Sequence, residues 1–448
     1  MPLVDWSDKM NKPLWLLLGV SLIAWPTFAA QYVFKNVQVF DGREATLSAA
    51  KNVYVQDNLI SKIEDYQDLN ITDSNTIVID GQGKTLMPGL IDAHTHLMLA
   101  ALPQQTLMLA DQGFINIVAA KTAADMLQRG YTSVRDLGGP VFGLKMAIDK
   151  QITTGPRIWP AGAFISQTGG HGDFRLPNEL ITADSKKQTI SVRTGTSAIA
   201  DSPDEVRQHV REQLALGASQ IKLMAGGGVS SFYDPLDVTQ YSLAEIRAAT
   251  EAAENWGTYV TVHAYTPRSI NQAIDGGVKS IEHGQLIDEK TAKRMAKEGI
   301  WWSLQPFTSE RKSSFAEGSP QRLKQKMVEQ GTDRAYRLAK KHQVKVAWGT
   351  DILFSAEKLK GQTQLLSIMT RWYTPAEVLK MATYDNAQLL MLSGERAPYQ
   401  GKLGVIEAGA LADLLIVNGN PLQDLTILEA TDNLQLIMKD GRIYKNTL

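Results

Sequence analysis

The chain has 448 residues, of which 44% are hydrophobic and 21% charged, an ordinary composition with apolar material for a large core. Lys plus Arg number 46 against 47 Asp plus Glu, a formal net charge of −1. With no basic excess or long basic run to track a phosphate backbone, nucleic acid is not expected as a partner, and the substrate is expected to be small. Cysteine is absent, which removes disulfides, thiolate metal sites, cysteine nucleophiles and a lipoprotein anchor at once, so any metal must be bound by nitrogen and oxygen.

Lys9 and Lys12 precede an apolar run from Leu14 to Trp25, followed by Pro26-Thr27-Phe28-Ala29-Ala30. A short basic region, an apolar stretch of this length and small residues at Thr27 and Ala29 describe a signal peptide over residues 1–29, with cleavage after Ala29 or Ala30. The mature protein is then periplasmic or secreted and meets the membrane only during export. The alternative, an uncleaved anchor, has an apolar core shorter than the roughly 20 residues a spanning helix needs. Met10 is as good a start as Met1.

Past the leader, Tyr32–Phe34, Val37–Phe40, Asn52–Val55 and Thr76–Ile79 are β-branched or aromatic runs broken by the turn pairs Asp41-Gly42, Asp57-Asn58 and Asp80-Gly81. The far end has the same texture in Asp413–Val417, Leu434–Met438 and Arg442–Tyr444. Each set is too small for a core of its own, so residues 30–86 and 401–448 are expected to form one β-sandwich together.

Between them, over residues 87–400, strands and helices alternate. Eight short, largely apolar, non-alternating strands are predicted at Ile91–Leu97, Thr132–Leu137, Arg157–Gly162, Ile221–Gly226, Tyr259–Ala264, Ser280–Gly284, Trp301–Pro306 and Val346–Asp351. Capping boxes open helices at Ser202, Ser242 and Thr374. Gly130, Gly217, Gly257, Gly276 and Gly299 stand where a helix C-terminus wants a left-handed residue. Eight such units in one run predict a (β/α)₈ barrel, an α/β fold whose chemistry sits at the C-terminal ends of the strands.

The histidines are placed accordingly. His94 and His96 end strand one, His263 ends strand five, His283 ends strand six, and Asp351 ends strand eight. Residues two apart in a strand point the same way, so His94 and His96 can ligate one ion together. The mixed nitrogen and oxygen shell suits zinc, with manganese or cobalt as alternatives. His209 and His342, by contrast, fall in helical stretches and read as solvated. Asp351 is the natural proton acceptor beside a metal-activated water.

The stretches Met87–Leu97, Ser133–Gly139, Thr168–Asp173, Ile221–Gly228, Ser280–Gly284 and Ala408–Val417 together resemble the amidohydrolase superfamily, and within it the prolidase-like branch of Xaa-Pro dipeptidases and imidazolonepropionase. Read alone, Lys222 at the end of a buried strand has no obvious task beyond a structural one. The resemblance implies that its amine carries a CO₂-derived carbamate that bridges two divalent ions. His94, His96, Lys222 and Asp351 would hold one ion, and Lys222, His263 and His283 the other. It also implies that His171, in a glycine-flanked loop after strand three, helps hold the substrate carbonyl or carboxylate. Tyr233 is a weaker candidate of the same kind, its alternative being a packed loop aromatic. The long polar loop Gly169–Ala200 has the character of a lid.

The implied reaction is hydrolysis of the C–N bond of a small amide, a dipeptide (Xaa-Pro or other) or an N-acyl amino acid. A cyclic-amide hydrolase and a non-catalytic metal-binding barrel are the other readings. A homo-oligomer is compatible with the sequence.

Overall fold

The structure is a computed structural model that describes residues 31–69, 74–180, 189–310 and 313–448; the expected signal peptide lies outside them. Among the described residues no helix is long and apolar enough to cross a membrane.

Strands β1 (Gln31–Val39), β2 (Ala50–Gln56), β3 (Leu59–Asp65), β4 (Thr76–Asp80) and β5 (Thr85–Pro88) come first. The two runs expected at Tyr32–Phe34 and Val37–Phe40 are one strand with a bulge between Phe34 and Val37. Its first half pairs with β4 and its second with β5.

The barrel follows with β6 (Leu90–Thr95), β7 (Tyr131–Asp136), β8 (Arg157–Pro160), β9 (Phe164–Ser166), β10 (Ser197–Ile199), β11 (Ile221–Met224), β12 (Val260–Ala264), β13 (Ser280–His283), β14 (Trp301–Leu304) and β15 (Val346–Trp348). All eight predicted barrel strands are present. They are buried on both faces, which is why they read as unbroken apolar runs. The third position is split: β8 pairs with β7, while β9 pairs with β11 through Leu223 opposite Ile165. The wall is knit at its two seams by backbone bonds that include Ser219 N to Pro160 O at 2.7 Å and Asp351 N to His94 O at 2.8 Å.

Strands β16 (Leu414–Val417), β17 (Leu434–Lys439) and β18 (Arg442–Asn446) return to β5, with Leu415 opposite Met87. The chain ends thus join in one eight-stranded, mainly antiparallel sheet around its own core of Phe34, Val53, Ile60, Leu86, Leu414 and Leu436. Arg157 of the barrel forks onto Asp413 at 2.8 and 3.2 Å, a buried pair that fixes the sheet to the barrel floor.

Two local expectations are corrected. Ser202 caps its helix, but the Glu205 carboxylate bonds Asp201 N, so only Ser242 and Thr374 form complete boxes. The left-handed residue before β13 is Gly277 (φ +93°), with Gly276 still helical in its φ; the other four glycines have positive φ as expected.

Candidate metal centre

Each ligand candidate is placed by the end of a barrel strand. His94 on β6 and His96 just past its end turn their Nε2 atoms to the same Asp351 Oδ1, each at 3.3 Å. The ligand atoms of these three residues all lie within 4.8 Å of one another. His283 at the end of β13 has its ring centroid 5.0 Å from that of His94, and His263 on β12 lies 4.4 Å from His283. Lys222 on β11 is buried at the same mouth. All six line one cavity of about 170 Å³, together with His171.

The hydrogen bonds around the rings decide which nitrogens are free. His94 Nδ1 meets Glu282 Oε2 at 2.9 Å and His96 Nδ1 meets the Gly138 carbonyl at 3.1 Å. His263 Nε2 meets the Gly227 carbonyl at 3.0 Å, and His283 Nδ1 meets Gln305 Oε1 at 2.7 Å. All four of these partners are acceptors, and at His94 the carboxylate at 2.9 Å outweighs the Gln305 amide nitrogen at 3.2 Å, so each ring donates there and keeps its other nitrogen as a lone pair, the arrangement of metal-binding imidazoles. His94 Nε2 is wholly buried and has no aligned hydrogen-bond partner among the described residues, a cost that a cation would relieve. The residues present therefore fit a metal.

The electrostatics point the same way. Burial, then the Lys222 charge, lowers the His94 imidazole to about 4. Burial holds His263 and His283 well below the usual range too. All three are thus neutral, the form that ligates. Burial would raise Asp351, but His94, His96 and His283 outweigh it and hold the carboxyl well below its ordinary value. Burial lowers Lys222 to about 8 against the pull of Glu282 and Asp351, so a useful fraction of its amine is uncharged and nucleophilic near neutral pH.

His283 and Asp351 both have left-handed backbones, at φ +74° and +48°. Such a conformation costs a non-glycine residue about 1 kcal/mol or more and is tolerated where the surroundings fix it. Here it turns each side chain from the strand direction into the mouth. Asp92 secures the β15 end by accepting from Thr350 N at 3.0 Å and from the Thr350 hydroxyl at 2.6 Å.

His171 is held over the centre. Its ring stacks on His263 at 4.0 Å, and its Nδ1 lies 2.9 Å from Ser231 Oγ. Its loop is pinned by the buried Asp173–Arg175 pair at 2.6 Å. A Cβ on Gly228 would lie 1.9 Å from the His171 ring, so only glycine admits the imidazole there. Tyr233 is not brought to the cavity: its hydroxyl donates to Arg175 O at 2.7 Å, and the side chain is not among those lining the site. His209 and His342 sit on the helices Pro203–Ala215 and Pro320–His342, paired with Glu212 and Glu289, away from the centre.

Sequence reasoning gave no task to Glu282 and Arg135. Below His94, Glu282 accepts from Arg135 Nη2 at 2.7 Å and from the Thr261 hydroxyl, and Arg135 donates also to Ala93 O at 2.7 Å and Tyr259 OH at 3.1 Å. Both residues are fully buried. Charged residues inside otherwise apolar strands were the available signal.

The amidohydrolase family model matches residues 85–444. The chain belongs to the amidohydrolase family. Ochratoxinase of Aspergillus niger is 31% identical to it over 386 residues, which is 80% of this chain and 75% of that protein. Two solved structures each cover 93% of this chain with 100% of their own. One is an amidohydrolase, 36% identical with a TM-score of 0.85. The other is a prolidase complexed with N-methylphosphonate-L-proline, 33% identical with a TM-score of 0.85. This amidohydrolase is a metal-dependent hydrolase acting on C–N bonds, with His94, His96 and Asp351 as its compact metal-binding group.

Proposed function

We propose that this amidohydrolase cleaves the C–N bond of a dipeptide, Xaa-Pro among them, or of an N-acyl amino acid, leaving a carboxylate and an amino acid. The observation that carries the reading is the convergence of six side chains from five strands on one cavity, each of the four imidazoles keeping one ring nitrogen clear of its acceptor. The likeness to a prolidase supports it. The ligand named for that protein has tetrahedral phosphorus on the proline nitrogen, the shape an amide carbonyl passes through when water adds.

In this reading, His94, His96, Lys222 and Asp351 hold one divalent ion and Lys222, His263 and His283 a second, zinc by the chemistry of the donors, with Lys222 carrying a carbamate. Bound metal supplies Lewis acidity for the carbonyl and makes water a better nucleophile near neutral pH. The protein's own groups do the rest. Asp351, held ionised, accepts the proton of the attacking water at a carboxylate oxygen and passes it to the leaving nitrogen as the C–N bond breaks. His171 holds the substrate's carboxylate or carbonyl oxygen and so orients the bond. We also propose export through the N-terminal leader, for which N-terminal sequencing of protein from native envelopes should begin at Ala30 or Gln31.

The test is a library of dipeptides and N-acyl amino acids screened with zinc-loaded protein, each hit being compared with its C-terminal amide. A hydrogen bond to charge contributes roughly 1.5–3 kcal/mol, so the amide should fall in kcat/KM by about tenfold to a few hundredfold. Equal rates on acid and amide would overturn the carboxylate requirement, and turnover confined to a lactam panel would move the assignment to cyclic amides.

A further inference from the structure

A second cavity, of about 50 Å³, adjoins the metal cavity. Leu99, Phe174 and Phe354 line both, so the two spaces share one apolar partition. Beyond it, Met98, Leu107, Met108, Ile115 and Ile190 form the annex wall. No charged side chain among the described residues lines the annex. One of its hydroxyls, on Thr194, already donates to Ile190 O at 2.8 Å.

The partition is built, not incidental. Phe354 has a left-handed backbone at φ +60° and is fixed there by Phe354 N to Leu99 O at 3.1 Å and Ser355 N to Ala100 O at 2.8 Å. Phe174 packs edge-on against Phe164 at 5.9 Å, and Phe164 lies against the His96 ring at 5.2 Å. The side chains shared by the two spaces therefore lie on the His96 side of the centre, whereas His171 stands on the His263 side. A substrate whose carbonyl sits over the metal ligands and whose carboxylate points to His171 directs its acyl group toward the partition.

We propose that this annex receives the acyl group of the substrate, and that the preferred substrates are amino acids acylated by a medium-length aliphatic or an aromatic group. The proposal rests on the reading of the site as a hydrolase of acylated amino acids. A space of about 50 Å³ holds roughly four water-sized spheres, enough for a few methylenes or the edge of a ring. A carboxylate or ammonium entering it would lose most of its hydration and meet no opposite charge, only the amides of Gln104 and Gln112 and the hydroxyls of Ser191, Thr194 and Thr196.

The test is kcat/KM of the zinc-loaded full chain on acetyl-, butanoyl-, hexanoyl- and octanoyl-alanine, set beside the variant Met108→Trp. Met108 is half-buried on the short helix Gln104–Leu109, none of whose residues is fully buried, so the fold should tolerate the larger ring. Transfer of a methylene favours binding about three- to fourfold. Wild-type kcat/KM should climb at that rate per methylene and level off once the annex is full. Met108→Trp should flatten the series, so that hexanoyl- and acetyl-alanine differ little in kcat/KM.

Calorimetric binding of hexanoyl- and acetyl-alanine to the metal-free protein separates this from catalysis. The wild type should favour the hexanoyl compound, and Met108→Trp should not. Hydrolysis of acetyl-alanine with a flat chain-length series and no hexanoyl preference in binding overturns the annex and leaves the proposed function standing. No turnover of any member, with the hexanoyl preference intact and lost in Met108→Trp, overturns the proposed hydrolysis and upholds the annex.

Discussion

Replacing Glu282 by Gln should separate two tasks that one carboxylate performs. Glu282 is fully buried and meets Arg135 Nη2 at 2.7 Å and His94 Nδ1 at 2.9 Å. Arg135 holds the carboxyl well below the usual range even though burial alone would raise it. Its charge is therefore present at every working pH. In Glu282→Gln the guanidinium of Arg135 stays buried without its counter-ion, a loss of about 3–5 kcal/mol of stability. The same change leaves His94 Nδ1 facing a neutral amide, and loss of such a carboxylate costs about 10–100-fold in metal affinity.

The double variant Arg135→Met/Glu282→Leu distinguishes the two effects. It removes both charges, so more than half of the lost stability should return. Recovery is incomplete because Ala93 O and Tyr259 OH lose the Arg135 donor. Metal affinity should not return, since His94 Nδ1 still lacks the carboxylate. The assays are urea melts of the metal-free proteins and zinc competition against a chelator. Recovery of metal affinity along with stability would refute the assignment of Glu282 as the residue that positions His94.

Lys222→Ala should lose nearly all activity and regain part of it with added short carboxylic acids; full activity without them would remove the carbamate, and metal analysis of the wild type should return about two ions per chain. Gly228→Ala should push the His171 ring aside, since its new Cβ would lie 1.9 Å from that ring. Acid-over-amide discrimination should shrink while metal content stays unchanged. In the chelated protein, unfolded His94 takes a proton near 6.5 but the folded residue only near 4. Its share of the stability is therefore lost as pH falls through that window, by roughly 3 kcal/mol. Asp136, raised by burial to about 7, works in the opposite direction, so the quantity to measure is the wild-type minus His94→Gln difference between pH 7 and 4.

The side chains gathered at the barrel mouth were legible in the sequence because metal ligation would demand histidine and aspartate, and a parallel barrel aims strand C-termini at one mouth. His94, His96, His263, His283 and Asp351 met both conditions at once. The Lys222 position needed the family resemblance, since a buried lysine at a strand end has several physical explanations. The Arg135–Glu282 contact joins residues 147 apart, and no local pattern encodes which strands become neighbours across a barrel. β3 escaped notice because it is an edge strand with three of its seven residues charged. Tyr233 is near the site in sequence but is turned onto Arg175 by a loop whose course the residues did not reveal.

The strained positions complete the account of why this fold carries this site. Of the six expected ligands, those with left-handed backbones are His283, the last residue of β13, and Asp351, in the turn that follows β15. A regular strand would continue each residue along the wall, with its side chain alternating between the barrel lumen and the helices. The left-handed turn breaks that alternation at or just past the strand end and lets the chain leave for its loop with the side chain still over the lumen. Gly284 follows His283 at φ +75°, and a Cβ there would meet the Trp302 indole nitrogen at 2.6 Å, so glycine is what permits the turn. That indole donates to His283 O at 2.6 Å, locking the residue in place. The bond offsets part of the conformational cost, since a typical hydrogen bond contributes about 1 kcal/mol against about 1–3 for the strain. The remainder is carried by the barrel core, whose three fully buried tryptophans, Trp159, Trp302 and Trp348, are among its largest side chains. Stability in the wall thus sustains backbone geometry at the mouth that no isolated strand would keep.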